Sequence, residues 1–431
     1  MKKELKEAKK VALHTLGCRL NFSETGTIAK GFVDRGYAVV PFGEEADVVV
    51  VNTCTVTDGA DSSCRNLIRK AHRSSPEGKI VVVGCYSQME PEAVASIQGV
   101  DLIMGSAEKY KLFDYLNEEE QLTRVGMTTE FMRARSSEVD GHTRAFLKIQ
   151  DGCNYICSFC IIPQARGRSR AIKLEDAVTE AKTLVKEGHK EIVLTGVNIG
   201  EYEKASGTPL YRLVEEIQKV DGLERFRLSS VEPNTLTDKL LEVLRGSSKF
   251  MNHFHIPLQS GDDHILKSMR RKYTVEEYKS LITKIQKIFP DAAFGADIIL
   301  GYPGESDESF QKTYELLKEL PITHFHPFPY SQRRGTTAAK MENHIQHGVK
   351  KDRVKSIIHL GDSKLRMFSE GLVGTKNNVL FERKNKEGLW EGYTTNFVRV
   401  YIESEAELKN KILEVYLSEM SLNGLRGTLT S

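Results

Sequence analysis

The 431-residue sequence predicts an α/β protein built in three parts: an N-terminal open parallel sheet, a central partial (β/α)6 barrel and a small C-terminal antiparallel β-barrel. Short apolar runs alternate with helical stretches through the first two parts, which is the pattern of parallel sheets. The central run holds six strand–helix repeats, too few for a closed eight-stranded barrel. From about Gly371 short alternating stretches separated by Gly and charged turns take over, as in small antiparallel barrels.

In the first part, Val11–Leu16, Asp47–Asn52 and Lys79–Gly84 read as buried strands, with helices near Glu24–Arg35 and Ala60–His72. This part ends near Ser137, within the polar stretch Arg135–His142. The strands expected next are Arg144–Gln150, Glu191–Thr195, Arg225–Ser229, His253–Pro257, Phe294–Leu300 and Thr323–Phe328. Thr274 followed by Glu277 is a capping-box pattern opening an amphipathic helix. Gln346–Met367 reads as a helical connector to the last part, whose expected strands are Asn378–Glu382, Leu389–Thr394 and Arg399–Ile402. The resulting division is 1–137, 138–365 and 366–431.

Hydrophobic residues make up 40% and charged residues 28%, so each part can bury a core. With a net charge of +2, any nucleic-acid binding must come from local basic patches. The basic stretch Met1–Lys10 is not followed by the apolar segment of a secretory signal. No apolar run approaches the roughly 18 residues that span a bilayer. A cytoplasmic protein with no membrane or DNA partner is expected. An odd number of cysteines, seven, without an export signal favours ligands or buried thiols over disulfides.

Cys153, Cys157 and Cys160 place three thiols within eight residues, directly after an expected strand. Cubane iron–sulfur clusters are normally held by four thiolates, so three local ones would leave one iron open to a small molecule. A zinc site or three buried thiols is the alternative, although zinc sites usually show a fourth Cys or His nearby. Polar and small residues recur at later strand ends: Asn198, then Ser229 and Glu232, then Gln259, then Asp297 and Gly301. Ligands of β/α folds bind at that edge.

Cys18, Cys54 and Cys85 each follow one of the first three expected strands, so three loops distant in sequence can converge on a second metal site. Buried small thiols are the alternative. Cys64 lies inside an expected helix and reads as structural.

The central cysteine triplet resembles the radical S-adenosylmethionine (SAM) superfamily. Together with Thr15–Asn21, Asn52–Thr57, Val83–Cys85, Asp151–Cys153, Cys160–Pro163, Ala165–Arg170, Thr195–Gly200 and Gly301–Glu305, it resembles the radical-SAM methylthiotransferases over nearly the whole chain. The run Asn-Thr-Cys-Thr-Val-Thr at 52–57 and the central cysteine loop look most like the branch acting on N6-threonylcarbamoyladenosine beside the tRNA anticodon. Other branches act on isopentenyladenosine of tRNA or on an aspartate of a ribosomal protein. A non-catalytic iron–sulfur or zinc RNA-binding protein is the alternative from another class.

The resemblance implies two [4Fe–4S] clusters. Cys153, Cys157 and Cys160 would hold the one that binds SAM, and Cys18, Cys54 and Cys85 an auxiliary one. One SAM would methylate a sulfur attached to the auxiliary cluster, and a second would supply the radical that removes hydrogen from adenosine C2. Asn198, Ser229, Glu232, Gln259, Asp297 and Gly301 would contact SAM. No catalytic side chain beyond the cluster ligands is assigned. The implied partners are the tRNA anticodon stem-loop and a low-potential electron donor. The sequence departs from the family at Lys204–Ala205, where a Gly-rich turn is common, which leaves the shape of that loop open.

The last part resembles a TRAM domain, an RNA-binding barrel. Its nine Lys/Arg and nine Asp/Glu leave it neutral. Phe381, Trp390, Tyr393 and Phe397 there suit either base stacking or a small core. Arg166, Arg168 and Arg170 follow the cysteine loop and are expected to contact RNA phosphates. Arg333, Arg334 and Lys340, and Lys350, Lys351, Arg353 and Lys355 on the connector, are further basic stretches.

Overall fold

The run Val48–Val51 is the centre of the first sheet: all four valines are buried, because both faces of this strand are covered. The computed structural model describes residues 8–136 and 141–430. The expected boundary at Ser137 and the first seven residues of the basic N-terminal stretch lie outside the described residues.

Six parallel strands, β1 (Lys10–Thr15), β2 (Ala38–Val40), β3 (Val48–Thr53), β4 (Lys79–Gly84), β5 (Leu102–Met104) and β6 (Leu122–Arg124), form a sheet in the order β2-β1-β3-β4-β5-β6. Side chains alternate between its faces. Val49, Val51, Ile80 and Val82 pack with Cys64, Ile68 and Ala71 of helix Asp58–Ser74. Val48, Val50, Val81 and Val83 pack with Ile28 and Phe32 of helix Arg19–Val33. The three expected strands are present within one residue at each end. β2, β5 and β6 are three residues each, too short to show a period. The chain passes from β1 outward to β2 and returns to β3 on the other side. The strand order therefore reverses between β1 and β3, and doubly wound sheets bind ligands at such a crevice.

Next come β7 (Arg144–Lys148) and the two-residue strands β8 (Gln150–Asp151) and β9 (Arg170–Ala171). β8 and β9 pair antiparallel and close the segment between them into a loop.

The chain folds as two compact units. The first takes residues up to Glu180 with Thr195–Gly207 and Ser331–Ala339; the second takes Ala181–Leu194, Thr208–Tyr330 and Lys340 onward. In the second, β10 (Glu191–Thr195) runs parallel to β11 (Arg225–Leu228). β12 (His253–His255), β13 (Ala293–Leu300) and β14 (Ile322–Pro329) form a second parallel set. β7 and β10–β14 are the six strands expected of the central part, with helices between them along the chain. Helix Val275–Ile288 opens on the full Thr274–Glu277 capping box.

Helix His347–Glu370 leads into a closed barrel of β15 (Lys376–Lys384), β16 (Trp390–Tyr393), β17 (Arg399–Ile402), β18 (Ile412–Ser421) and β19 (Gly424–Leu429). Phe381 and Trp390 fill its core with Val379, Val400 and Leu417. Arg227 on β11 bonds Glu191 at 2.7 Å and the barrel carbonyls of Thr394 and Thr395 at 3.0 Å. Among the described residues, no helix is long and apolar enough to cross a membrane.

Burial pushes His324 on β14 down to about 4, with the charge of His326 adding to the effect. The neutral ring is therefore the native form. Its contribution to stability is complete above the unfolded value of about 6.5 and is lost as pH falls toward 4, by roughly 2–4 kcal/mol. His324→Gln is expected to flatten that part of the stability curve, read from urea unfolding at pH 7 and pH 5.

Candidate functional site

The parallel register brings three cysteines to one edge. Thr15 on β1 pairs with Asn52 on β3, and Thr53 pairs with Gly84 on β4, so the three strands end level. Cys18, Cys54 and Cys85 follow directly. Gly17 (φ +96°) lets the β1 loop pass close to its neighbour, since a Cβ there would lie 2.9 Å from Cys54 Sγ. Asn21 locks the arrangement, donating to the carbonyls of Leu16 at 2.6 Å and Thr53 at 3.1 Å. Cys18 is exposed; Cys54 and Cys85 are buried. Burial and then the neighbouring Cys85 and Cys18 thiols push Cys54 up to about 12. Cys64 instead donates to the Cys54 carbonyl at 3.3 Å from inside the core, a structural position as expected.

The Cys153–Cys160 loop hangs from the β8–β9 clasp. The Gln150 amide donates to the Gly152 carbonyl at 2.7 Å and to Ser169 Oγ at 2.9 Å, and its oxygen accepts the Asn198 N–H at 2.8 Å. Glu201 accepts the Asn154 N–H at 2.9 Å, and Ser158 accepts the Ala338 N–H at 2.7 Å. All three thiols are half-buried. Burial pushes Cys153 up to about 12; the Tyr155 N–H opposes this and the Glu201 charge adds to it. Asn198 Nδ2 stands 3.9 Å from Cys153 Sγ, while its Oδ1 is buried without a protein partner. The 201–207 loop, left open by Lys204–Ala205, is a short helix Tyr202–Ser206 ending at Gly207.

Beneath both cysteine sets lies a buried charge cluster. Arg166 Nη1 donates to Glu24 at 3.0 Å and Asp151 at 3.1 Å, and Nη2 to Asn21 Oδ1 at 2.6 Å. Arg170 bonds Asp151 at 2.8 Å, Lys109 pairs with Glu24, and Lys148 lies 3.5 Å from Glu24 and 3.6 Å from Asp151. Burial pushes Glu24 up, but Arg166, Lys109 and Lys148 outweigh it and hold it well below the carboxylate range. Burial pushes Lys148 down to about 8 against the pull of Asp151 and Glu24. The three arginines expected to face RNA therefore divide: Arg166 and Arg170 spend their donors inside the protein, and Arg168 is exposed.

In the second unit the remaining strand-end residues fall as follows. Ser229, just after β11, has its Oγ buried without a protein partner. Glu232 pairs with Arg271. Gln259 (φ +67°) is pinned between Asp297 and Ile299 backbone groups, and its Oε1 is likewise unpartnered. His255 lies 3.1 Å from Asp297. Burial raises Asp297, but His255, His326 and Arg271 hold it below the usual range. Gly301 turns beside Lys350, where a Cβ would meet its Cγ at 2.4 Å. Of the further basic residues, Arg353 is buried against Glu305 and Asp307. Arg333, in the first unit, pairs with Asp61 at 2.6 Å. Arg334, Lys340, Lys351 and Lys355 are exposed. Tyr393 and Phe397 stack at 4.8 Å and line a cavity of about 940 Å³ with Arg366 and Arg399.

Residues 147–317 match the family model of the radical SAM superfamily, and residues 10–105 match that of the uncharacterized protein family UPF0004. The threonylcarbamoyladenosine tRNA methylthiotransferase MtaB of Bacillus subtilis is 40% identical, with 94% of this chain and 93% of the relative covered. The tRNA-2-methylthio-N(6)-dimethylallyladenosine synthase of Acetivibrio thermocellus is 32% identical, covering 99% and 93%. The chain belongs to the radical SAM methylthiotransferase family. Among solved structures, the radical SAM methyltransferase TsrM of Kitasatospora setae shares the fold, with a TM-score of 0.55 at 17% identity over 74% of this chain and 73% of that one.

Membership in the methylthiotransferases brings with it a [4Fe–4S] cluster and SAM. What the sequence did not single out is the charge cluster on which this methylthiotransferase's loops rest. Lys148, a charged residue directly after the apolar run Ala145, Phe146 and Leu147, was its one local sign.

Gly152 (φ +68°) begins the cysteine loop, and a Cβ there would lie 2.2 Å from the Arg168 carbonyl oxygen. Gly152→Ala is expected to cost roughly 2–5 kcal/mol through the left-handed backbone and the overlap together. Thermal denaturation of the metal-free chain measures this; an unchanged midpoint would contradict the packing described.

Proposed function

We propose that this chain converts N6-threonylcarbamoyladenosine beside the tRNA anticodon to its 2-methylthio derivative. The observation that carries the reading is the gathering of two three-thiol sets in one compact unit of a methylthiotransferase. The names of the full-length relatives support tRNA as substrate, and 40% identity to the threonylcarbamoyl relative against 32% to the dimethylallyl one supports the branch.

The donor sets fit the groups they would hold. Cys153, Cys157 and Cys160 present three half-buried thiols on a pinned loop, with Asn198 beside Cys153 offering an unpartnered oxygen. We assign them the cluster that binds SAM. Cys18, Cys54 and Cys85 are assigned an auxiliary [4Fe–4S] cluster. Ser229 and Gln259 are assigned to SAM because a buried oxygen left unbonded costs about 1–3 kcal/mol. Glu232, Asp297 and Gly301 are assigned with them from their strand-end positions. When bound, the reduced cluster and SAM supply the radical that removes hydrogen from adenine C2, a position with too little acidity for base catalysis.

The protein's own share is placement. The Gln150 and Asn154 bonds hold the loop, and the level strand ends hold the sulfur-donor cysteines at a fixed edge, so that the reacting groups meet without searching. Arg168, Arg334 and Lys340 are the exposed cations assigned to tRNA phosphates, and the Tyr393–Phe397 stack in the barrel is assigned to a base. The functional modules are 1–137 for the auxiliary cluster, 138–365 for radical chemistry and 366–431 for RNA. A low-potential electron donor in the cytoplasm completes the system.

Mass spectrometry of tRNA nucleosides from a strain lacking this gene is expected to show loss of the methylthio group from threonylcarbamoyladenosine alone. Loss from isopentenyladenosine instead would move the enzyme to the other branch. Cys157→Ala is expected to abolish SAM cleavage under reducing conditions. Cys54→Ala should still cleave SAM but insert no sulfur; normal methylthiolated product from it would overturn the assignment of the auxiliary cluster.

A further inference from the structure

The buried cluster of the first unit sets four cations, Lys109, Lys148, Arg166 and Arg170, against two carboxylates, Glu24 and Asp151. Among the described residues it therefore holds two more positive than negative side chains away from water. Such a surplus is costly in a protein interior unless an anion shares the space. Arg166 points to where that anion belongs. Its helix, Ile162–Arg166, packs against helix Cys85–Met89, which opens on Cys85. Its Nη2 lies 2.6 Å from Asn21 Oδ1, and Cys18 Sγ faces the same oxygen at 4.0 Å. The guanidinium interacts electrostatically with both Cys85 and Cys18. Its side chain is 1% exposed, so it reaches no phosphate.

We propose that Arg166 is a positioning residue that presents the buried positive surplus to the Cys18–Cys54–Cys85 centre, offsetting the negative charge of a thiolate-bound iron–sulfur cluster and raising its reduction potential. This rests on the assignment of the auxiliary cluster to those cysteines. A cluster gaining one electron becomes more negative, and a fixed neighbouring cation favours that form; net charge and hydrogen bonding are established determinants of such potentials. No bond is made or broken in this role. Arg166 differs here from Glu201, whose carboxylate acts on Cys153 of the other set.

The test uses the full chain carrying Cys153→Ala, Cys157→Ala and Cys160→Ala, reconstituted anaerobically with ferrous iron and sulfide so that only the auxiliary cluster forms. Iron analysis should give about four irons per chain. Redox titration followed by electron paramagnetic resonance then compares this parent with Arg166→Gln and Arg166→Lys. The expected result is a shift to more negative potential for Arg166→Gln and a value near the parent for Arg166→Lys, which keeps the charge and loses the planar fork. A merely structural role would move both variants alike. If Arg166→Gln does not fold, Glu24→Gln supplies the reverse test, since removing the carboxylate should shift the potential in the positive direction. A parent that binds no iron overturns the cluster assignment and this inference with it. A parent that binds iron, with a potential unmoved by Arg166→Gln or Glu24→Gln, overturns the inference alone.

Discussion

The Arg166 guanidinium joins segments that the chain keeps far apart. Through Asn21 and Glu24 it grips helix Arg19–Val33, and through Asp151 it grips β8, from which the Cys153–Cys160 loop springs. Breaking one member of such a buried set leaves a partner charge without compensation, at a cost of about 3–5 kcal/mol. The loop after β1 and the loop after β8 are therefore held by one shared set of contacts, and neither can drift independently. Arg170 and Lys148 add a second hold on Asp151, so the strand that launches the cysteine loop is secured at its last residue.

The other constraint is the register of the first sheet. Parallel strands of equal end-point, joined by right-handed crossovers, deliver the residues that follow them to one edge. Cys18 and Cys54 follow the two strands that flank the reversal in strand order, and Cys85 follows the next. A one-residue slip of β3 would turn Val49 and Val51 to the wrong layer as well as withdraw Cys54, so the packing of the core and the placement of the thiol are selected together.

These two constraints differ in how far they could be read from sequence. The sheet was legible because its information is local: apolar runs at Val48–Val51 and Ile80–Val83 give strands, and the position of each Cys relative to its strand end follows without long-range knowledge. The short strands β2, β5 and β6 were not legible, since three residues carry no period. β18 and β19 were not legible either: in Ile412–Ser421 the buried alternation is confined to Val415 and Leu417, between exposed Glu414, Tyr416 and Ser418. The arginines were legible as a group but not in orientation. Arg166, Arg168 and Arg170 look alike as a basic run, and what buries two of them is Glu24, 142 residues away from Arg166, together with Asp151. Only the fold supplies that pairing.

The two thiol sets are the same donor chemistry in opposite electrostatic surroundings. Behind Cys18 and Cys85 the leading charge is that of Arg166, which Glu24 partly opposes at Cys18. Around Cys153 the charge is the Glu201 carboxylate, with the amide of Asn198 beside the sulfur. On the assignments proposed, the Glu201 carboxylate would disfavour an added electron on a cluster held beside it by Cys153. An auxiliary cluster held by Cys18, Cys54 and Cys85 would instead lie beside a cation, which favours the added electron. The thiols being alike, the two sets differ in the residues behind them, most directly in the opposite charges of Arg166 and Glu201.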